Sequence, residues 1–324
     1  IQTRAWFADL REGQEVFLGA VPFSHSYGLT ACLNLAILSG SAVVLVPAFD
    51  TEKVLKSVRR HRPTLFPGVP AMYAAINEFP DLRDYEIACA KACISGSSPL
   101  PIEVQESFEK LTKGRLVEGY GLTEASPVTH ANPLFGQRKV GTIGIPLPGT
   151  DARIVHLRSG RVLRPGQTGE LVIRGPQVMQ GYWRRPNETE DVLRDGWLHT
   201  GDVAQMDSDG FFQIINRVHD IVRVGVHQVY PRDVEEVLYE HPCVQEVAAI
   251  GVRAASGRTE IRVHIVPCPG QEATEKEIIA FCQSRLRTYQ VPRKVTFREE
   301  MPRSYVCLLY TSDAADERGC VGGG

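Results

Sequence analysis

Short runs of apolar and β-branched residues alternate with helically spaced stretches through the first third of the chain. Residues 16–21 read as a buried strand running into Pro22-Phe23-Ser24-His25-Ser26-Tyr27-Gly28-Leu29. Helical spacing follows through Ile37 and stops at Gly40, a residue suited to the left-handed turn that closes a helix. Residues 41–46 form a valine-rich strand of the kind found in parallel sheets. Residues 50–60 are helical behind an Asp-Thr start, and residues 64–67 return to the sheet. The pattern then predicts helix over 71–77, strand over 92–95 and helix over 102–111. Strands alternating with helices imply right-handed crossovers, hence an α/β fold with a doubly wound parallel sheet layer.

After Glu124 the character changes. Residues 141–149 are rich in Gly and Pro. Residues 151–155, 169–174 and 211–216 read as strands of a small β-barrel-like subdomain, with turns at Ser159-Gly160 and Pro165-Gly166. From Tyr230 the pattern is α+β: a helix over 231–239 with proline in its first turn, strands over 247–252 and 261–266, then a helix near 274–286. The boundary falls near residues 216–220, giving a large domain over 1–216 and a small α+β C-terminal domain over 217–306.

The 324 residues suffice for two domains and a sizeable core. At 43% hydrophobic and 23% charged, with net charge -2 and no basic run, the composition is globular and argues against nucleic-acid binding. The longest apolar stretches, such as residues 42–47, are far too short to span a bilayer. Of the eight cysteines only Cys89 and Cys93 lie close, and no second pair completes a zinc site; reduced thiols in a cytoplasmic protein are expected.

The richest chemistry lies in Val117-Glu118-Gly119-Tyr120-Gly121-Leu122-Thr123-Glu124-Ala125-Ser126. Glycines after a strand let the backbone turn and approach a ligand. Tyr120 offers a flat face for a base, Thr123 a neutral hydrogen bond to a phosphate oxygen, and Glu124 a hard oxygen for magnesium. For these residues alone, a strand-to-loop turn with a solvated glutamate is the simpler account. Four further pieces change the balance. Gly96-Ser97-Ser98-Pro99 follows a strand and could meet an adenine edge. Gly169-Glu170-Leu171-Val172-Ile173-Arg174-Gly175, continuing to Gly181-Tyr182-Trp183, reads as a structural hairpin. Trp197-Leu198-His199-Thr200-Gly201-Asp202 ends in a carboxylate able to accept both ribose hydroxyls, and Asn216-Arg217-Val218-His219-Asp220 sets a cation near the boundary. Singly, Asp202 could cap a turn and Arg217 pair with any surface acid.

In this order and spacing, across roughly residues 10 to 306, the pieces resemble the adenylate-forming superfamily of acyl-CoA synthetases, luciferases and peptide-synthetase adenylation domains. Arg62-Pro63-Thr64-Leu65-Phe66-Pro67-Gly68-Val69-Pro70 and residues 117–132 look most like bacterial long-chain fatty acid–CoA ligases. The resemblance implies two half-reactions. A fatty acid carboxylate attacks the α-phosphate of ATP, giving acyl-adenylate and pyrophosphate; the thiol of coenzyme A then takes the acyl group and AMP leaves. It also implies roles: Tyr120 stacked on adenine beside Gly121, Ser97 and Ser98 along its edge, Thr123 on the α-phosphate, Glu124 holding Mg2+, Asp202 and Arg217 on the ribose. His25 matches a position bordering the acyl pocket, as a gate or orienting group; a hydrogen-bonded buried histidine is the alternative. The apolar run 29–38 could line an acyl tunnel or be plain core. Expected partners are the fatty acid, ATP and coenzyme A, met in the cytoplasm with peripheral association at the inner membrane face. Loading of a carrier protein, a luciferase-like or aryl-acid activity, and a non-catalytic nucleotide-binding module are the alternatives.

Several positions depart from the family pattern. The expected hinge, His219, stands where Lys or Asp is usual; Val226 occupies the usual glycine near the pantetheine channel, with Gly225 one place earlier. The family's phosphate loop would lie upstream of residue 1. Pro302-Arg303-Ser304-Tyr305-Val306 leads not to a Gly-Lys pair but to Cys307 and Leu308. The run Cys307-Leu308-Leu309-Tyr310-Thr311-Ser312-Asp313-Ala314-Ala315-Asp316-Glu317 resembles a translated sequencing adapter, so residues 307–324 are expected to be a non-native tail on a truncated, nearly inactive fragment; a divergent, disordered natural tail is the alternative.

Overall fold

A computed structural model describes residues 2–301, except Ala8, Asp81, Val226 and residues 255–258. The readings made of Val226 and of residues 302–324 therefore lie outside the described residues. The chain divides into two compact units: Ile1–Thr200 with Ala204–Ile214, and Gly201–Val203 with the chain from Ile215 on.

The first unit opens with helix α1 (Gln2–Trp6) and then alternates strand and helix. The elements are β1 (Val16–Gly19), α2 (Leu35–Leu38), β2 (Ala42–Leu45), α3 (Thr51–His61), β3 (Leu65–Gly68), α4 (Pro70–Asn77), β4 (Ala92–Ser95), α5 (Ile102–Thr112) and β5 (Leu116–Gly121). With β6 (Val128–Ala131) and β7 (Ile145–Pro146) they form a seven-stranded sheet in the order β2-β1-β3-β4-β5-β6-β7. The first five strands pair in parallel and the last two antiparallel. The order reverses at β1, whose two neighbours are β2 and β3. In open α/β sheets, ligands bind outside the carboxyl ends of the strands at such a reversal.

Neighbouring strand residues point to opposite faces. Leu18, Phe66, Cys93 and Leu116 share one buried cluster with Val54, Leu55 and Val58 of α3, Met72, Tyr73 and Ile76 of α4, and Phe108 of α5. The adjacent Phe17, Leu65, Ala92 and Val117 share another with Phe7, Cys32, Leu35 and Ala36. Both faces are covered, as the doubly wound reading requires. Asp50 caps α3 by accepting from the Lys53 N–H at 2.8 Å, and Arg59, Arg60 and His61 fill its last turn, where the helix dipole favours cations.

Two local expectations change. The helix read through Ile37 is a π-helical turn over Gly28–Asn34 that passes into α2. A Cβ on Gly28 would lie 2.3 Å from the Pro22 carbonyl oxygen, so the turn depends on close backbone approach, which no spacing rule reveals. The valine-rich β2 pairs in parallel as read, but it is the sheet edge, and Leu45 is exposed.

A second sheet follows, built from β8 (Asp151–Val155), β9 (Thr168–Arg174), β10 (Leu193–Arg194), β11 (Trp197–Met206) and β12 (Phe212–Arg217), with helix α6 (Pro186–Val192) before β10. Its order is β10-β11-β9-β8, with β12 on β11; β8–β9 and β10–β11 are antiparallel. Ile154, Leu171, Ile173, Leu198 and Phe212 form its core. Gly160 and Gly166 adopt positive φ at the two turns read from sequence.

The second unit holds the hairpin β13 (Val222–Val224) and β14 (His227–Val229), helix α7 (Pro231–Tyr239), strands β15 (Val244–Arg253) and β16 (Thr259–Pro267), helix α8 (Glu275–Gln283) and β17 (Lys294–Phe297). β15 pairs antiparallel with β16, and β16 in parallel with β17. Val234 and Leu238 of α7 and Ile278 and Cys282 of α8 pack with Val247, Ile261, Val263 and Ile265 of the sheet. Thr274 and Glu277 close a reciprocal capping box at the start of α8.

Phe108 lies edge-on to Tyr73 at 5.1 Å, and Tyr73 meets Phe66 at 5.3 Å. Phe108→Ala is expected to destabilise the first unit by about 3–5 kcal/mol, read as a lower urea midpoint of its transition. An unshifted midpoint would contradict this packing role.

Candidate active site

The loop after β1 is shaped by its own backbone: His25 N–H donates to Pro22 O, Tyr27 N–H to His25 Nδ1, and Leu29 N–H to His25 O. Tyr27 is buried and its hydroxyl donates to the Ile94 carbonyl of β4 at 2.7 Å. Tyr73 of α4 donates to the same oxygen at 3.0 Å. A Cβ on Gly96 would lie 3.2 Å from the Tyr27 ring, so glycine lets the loop after β4 settle against it. Ser97 follows with φ 71°, exposed to solvent. Leu100 N–H then donates to the buried Glu118 carboxylate, tying this loop to β5.

The loop after β5 is equally constrained. A Cβ on Gly121 would lie 1.9 Å from Pro127 O, so only glycine fits there. Thr123–Ala125 makes a single 3₁₀ turn. The Thr123 hydroxyl lies 3.3 Å from that of Ser26, bringing the loops after β1 and β5 together. Tyr120 pairs with His130 across the ladder, their rings edge-to-face at 5.9 Å, and His130 meets Phe212 at 4.8 Å. Glu124 accepts from the Tyr182 hydroxyl at 2.7 Å, while its backbone oxygen accepts from Met179 N–H.

Within the first unit, then, the loops bearing His25, Ser97 and Ser98, and Tyr120, Gly121, Thr123 and Glu124 are linked at the carboxyl ends of β1, β4 and β5. Asp202 and Arg217 belong to the second unit, 3.3 Å apart, with the aspartate buried and the arginine exposed. There His219 lies exposed in a turn after β12, and Gly225 takes φ 64° between β13 and β14. Ser26, Glu118, His130 and Tyr182 carry contacts that the sequence reading did not assign. Ser26, Glu118 and Tyr182 stand in the motif-bearing segments, but their partners are distant in the chain, 58 positions in the case of Tyr182 and Glu124.

Among the described residues no group of three His, Cys, Asp or Glu side chains could hold a metal. The donor set around Glu124, one carboxylate beside a threonine hydroxyl, suits a magnesium that arrives on nucleotide phosphates and keeps its waters. No helix among the described residues is long and apolar enough to cross a membrane.

Residues 1–183 match the AMP-binding enzyme family and residues 233–305 its C-terminal domain. The chain belongs to the AMP-binding enzyme family. It is 48% identical over 93% of its length to a long-chain-fatty-acid–CoA ligase of Bacillus subtilis, and 37% identical over 96% to one of Escherichia coli O157:H7. A feruloyl-CoA synthase of an Amycolatopsis species is 38% identical over 88% of it. These spans are 54%, 56% and 58% of the relatives, so this AMP-binding chain covers about half the length of the curated proteins it matches. ATP-bound MatB from Rhodopseudomonas palustris superposes with TM-score 0.88 at 29% identity, over 95% of this chain and 60% of that one. The anthranilate CoA ligase AuaEII in complex with anthranoyl-AMP gives 0.85 at 26% identity, over 95% and 61%.

Burial pushes the His130 imidazole down to about 3 from its ordinary 6.5. The unfolded chain binds a proton that the folded one refuses, so this contribution to stability is complete above 6.5 and is lost progressively as pH falls toward 3. His130→Phe is expected to flatten the pH dependence of the denaturation midpoint between about pH 4 and 6.5. An unchanged slope would show that His130 titrates normally.

Proposed function

We propose that the protein carrying this chain is an ATP-dependent, AMP-forming ligase that activates a long-chain fatty acid and transfers it to coenzyme A. The observation that carries the reading is the link between loops at the ends of β1, β4 and β5, beside the reversal of strand order, through Ser26–Thr123 and Tyr27–Ile94. Relatives named for this activity in Bacillus subtilis and Escherichia coli support the substrate class.

The roles follow from the chemistry of each group. Tyr120 presents its ring to adenine beside Gly121, with Ser97 and Ser98 along the base edge. Thr123 donates its hydroxyl to the α-phosphate, and Glu124 holds the magnesium of the nucleotide, which neutralises phosphate charge when bound. Asp202, already beside Arg217, accepts the ribose hydroxyls. The attacking carboxylate is ionised near neutral pH, so no general base is needed. Catalysis is positioning and electrostatic stabilisation of the phosphoryl group. His25 borders the acyl group as an orienting residue. His219 is the hinge about which the C-terminal unit turns between half-reactions; a hinge must accommodate a torsion change more than carry a charge. Gly225 approaches coenzyme A. A substrate that partitions into lipid is met peripherally at a bilayer face.

The likeness to a feruloyl-CoA synthase favours a second reading, an aryl acid in place of the fatty acid. A profile of acyl-CoA formation against chain length separates the two: activity rising with chain length supports the fatty acid, and activity confined to aryl acids overturns it. In the full-length protein, Glu124→Gln is expected to lower fatty-acid-dependent pyrophosphate exchange about 100-fold or more, with the melting temperature unchanged. An unaltered rate would remove Glu124 from the reaction.

A further inference from the structure

Tyr182 reaches Glu124 from a segment held at several points. Met179 N–H donates to the Glu124 backbone oxygen at 2.8 Å, so the two segments are joined before the side chains meet. Tyr182 N–H donates to the Thr189 hydroxyl at 2.9 Å, and that hydroxyl donates to Arg185 O at 2.7 Å, anchoring the tyrosine to α6. Gly181 has φ 152°, and a Cβ there would lie 2.8 Å from the Thr189 methyl, so glycine permits this close seat. The phenol delivered in this way donates to Glu124 Oε1 at 2.7 Å, a short, charge-assisted hydrogen bond.

We propose that Tyr182 is a positioning residue that fixes the plane of the Glu124 carboxylate, donating to Oε1 so that Oε2 is presented to the magnesium of the bound nucleotide. This rests on the metal-holding role given to Glu124 above. A carboxylate accepts at about four lone-pair sites, so one phenol donor orients it without using up its capacity for a cation. Groups that hydrogen-bond to metal-ligating carboxylates set their orientation and basicity, and their loss weakens metal binding. A phenol is protonated, and so a donor, throughout the neutral range. A phenylalanine keeps the ring and removes only this donor.

The test is calorimetric binding of α,β-methylene-ATP to the full-length protein, with and without Mg2+, for the wild type, Tyr182→Phe and Glu124→Gln. Tyr182→Phe is expected to bind the metal-free nucleotide as the wild type does and to require about tenfold more Mg2+ for the tight complex. An unchanged or lower Mg2+ requirement overturns the proposal. A loss of metal-free binding also overturns it, because the phenol would then support the loop and not the cation. If Glu124→Gln loses the Mg2+ enhancement while Tyr182→Phe keeps it, only the Tyr182 role falls. If Glu124→Gln keeps it, the metal role of Glu124 falls and the Tyr182 proposal with it.

Discussion

One carbonyl oxygen, that of Ile94, accepts two phenols: Tyr27 from the loop after β1 and Tyr73 from the helix after β3. Tyr73 also donates to Phe66 O of β3. A buried phenol without a partner is costly, so both rings are held in place by the hydrogen bonds they must make. The two donors bind together the carboxyl ends of β1, β3 and β4, the part of the sheet where strand order reverses. Tyr27 in turn sets the floor for Gly96, and its neighbour Ser26 meets Thr123. The position of the candidate site is therefore a consequence of core packing, and its loops are tied to the scaffold within a few residues of each strand end.

That geometry suits chemistry in which the protein moves few protons. The neutral hydroxyls of Ser26 and Thr123 and the lone carboxylate of Glu124 are exposed or half-buried, while the histidine nearest to them in the sheet, His130, is kept uncharged by burial. The ring that Tyr120 meets edge-to-face across the ladder is thereby a neutral one. Pre-placed donors of this kind act without reorganisation when charge develops.

Much of this was legible in the residues. α7 and β8 have the bounds that periodicity suggests, because proline at a first turn and an alternating run between turns are strong local signals. The spacing of Tyr120, Thr123 and Glu124 on one strand-to-turn segment also follows from local rules. What was not legible depends on distance along the chain or on backbone contact. The π-helical turn follows from Gly28 against Pro22, and β6 and β7 are short strands carrying polar or cyclic residues such as His130 and Pro146. β11 runs through Gly201 at positive φ and so resembles a turn in sequence. Tyr182 lies on no periodic face that points toward Glu124; tertiary folding alone brings them together.

The most direct test of the central claim, that the loops after β4 and β5 form the adenine site, is photolabelling of the full-length protein with 8-azido-ATP, followed by peptide mapping. Labelling of peptides spanning residues 94–100 and 116–131, suppressed by excess ATP, is the expected result. ATP-suppressible label confined to other peptides would contradict it.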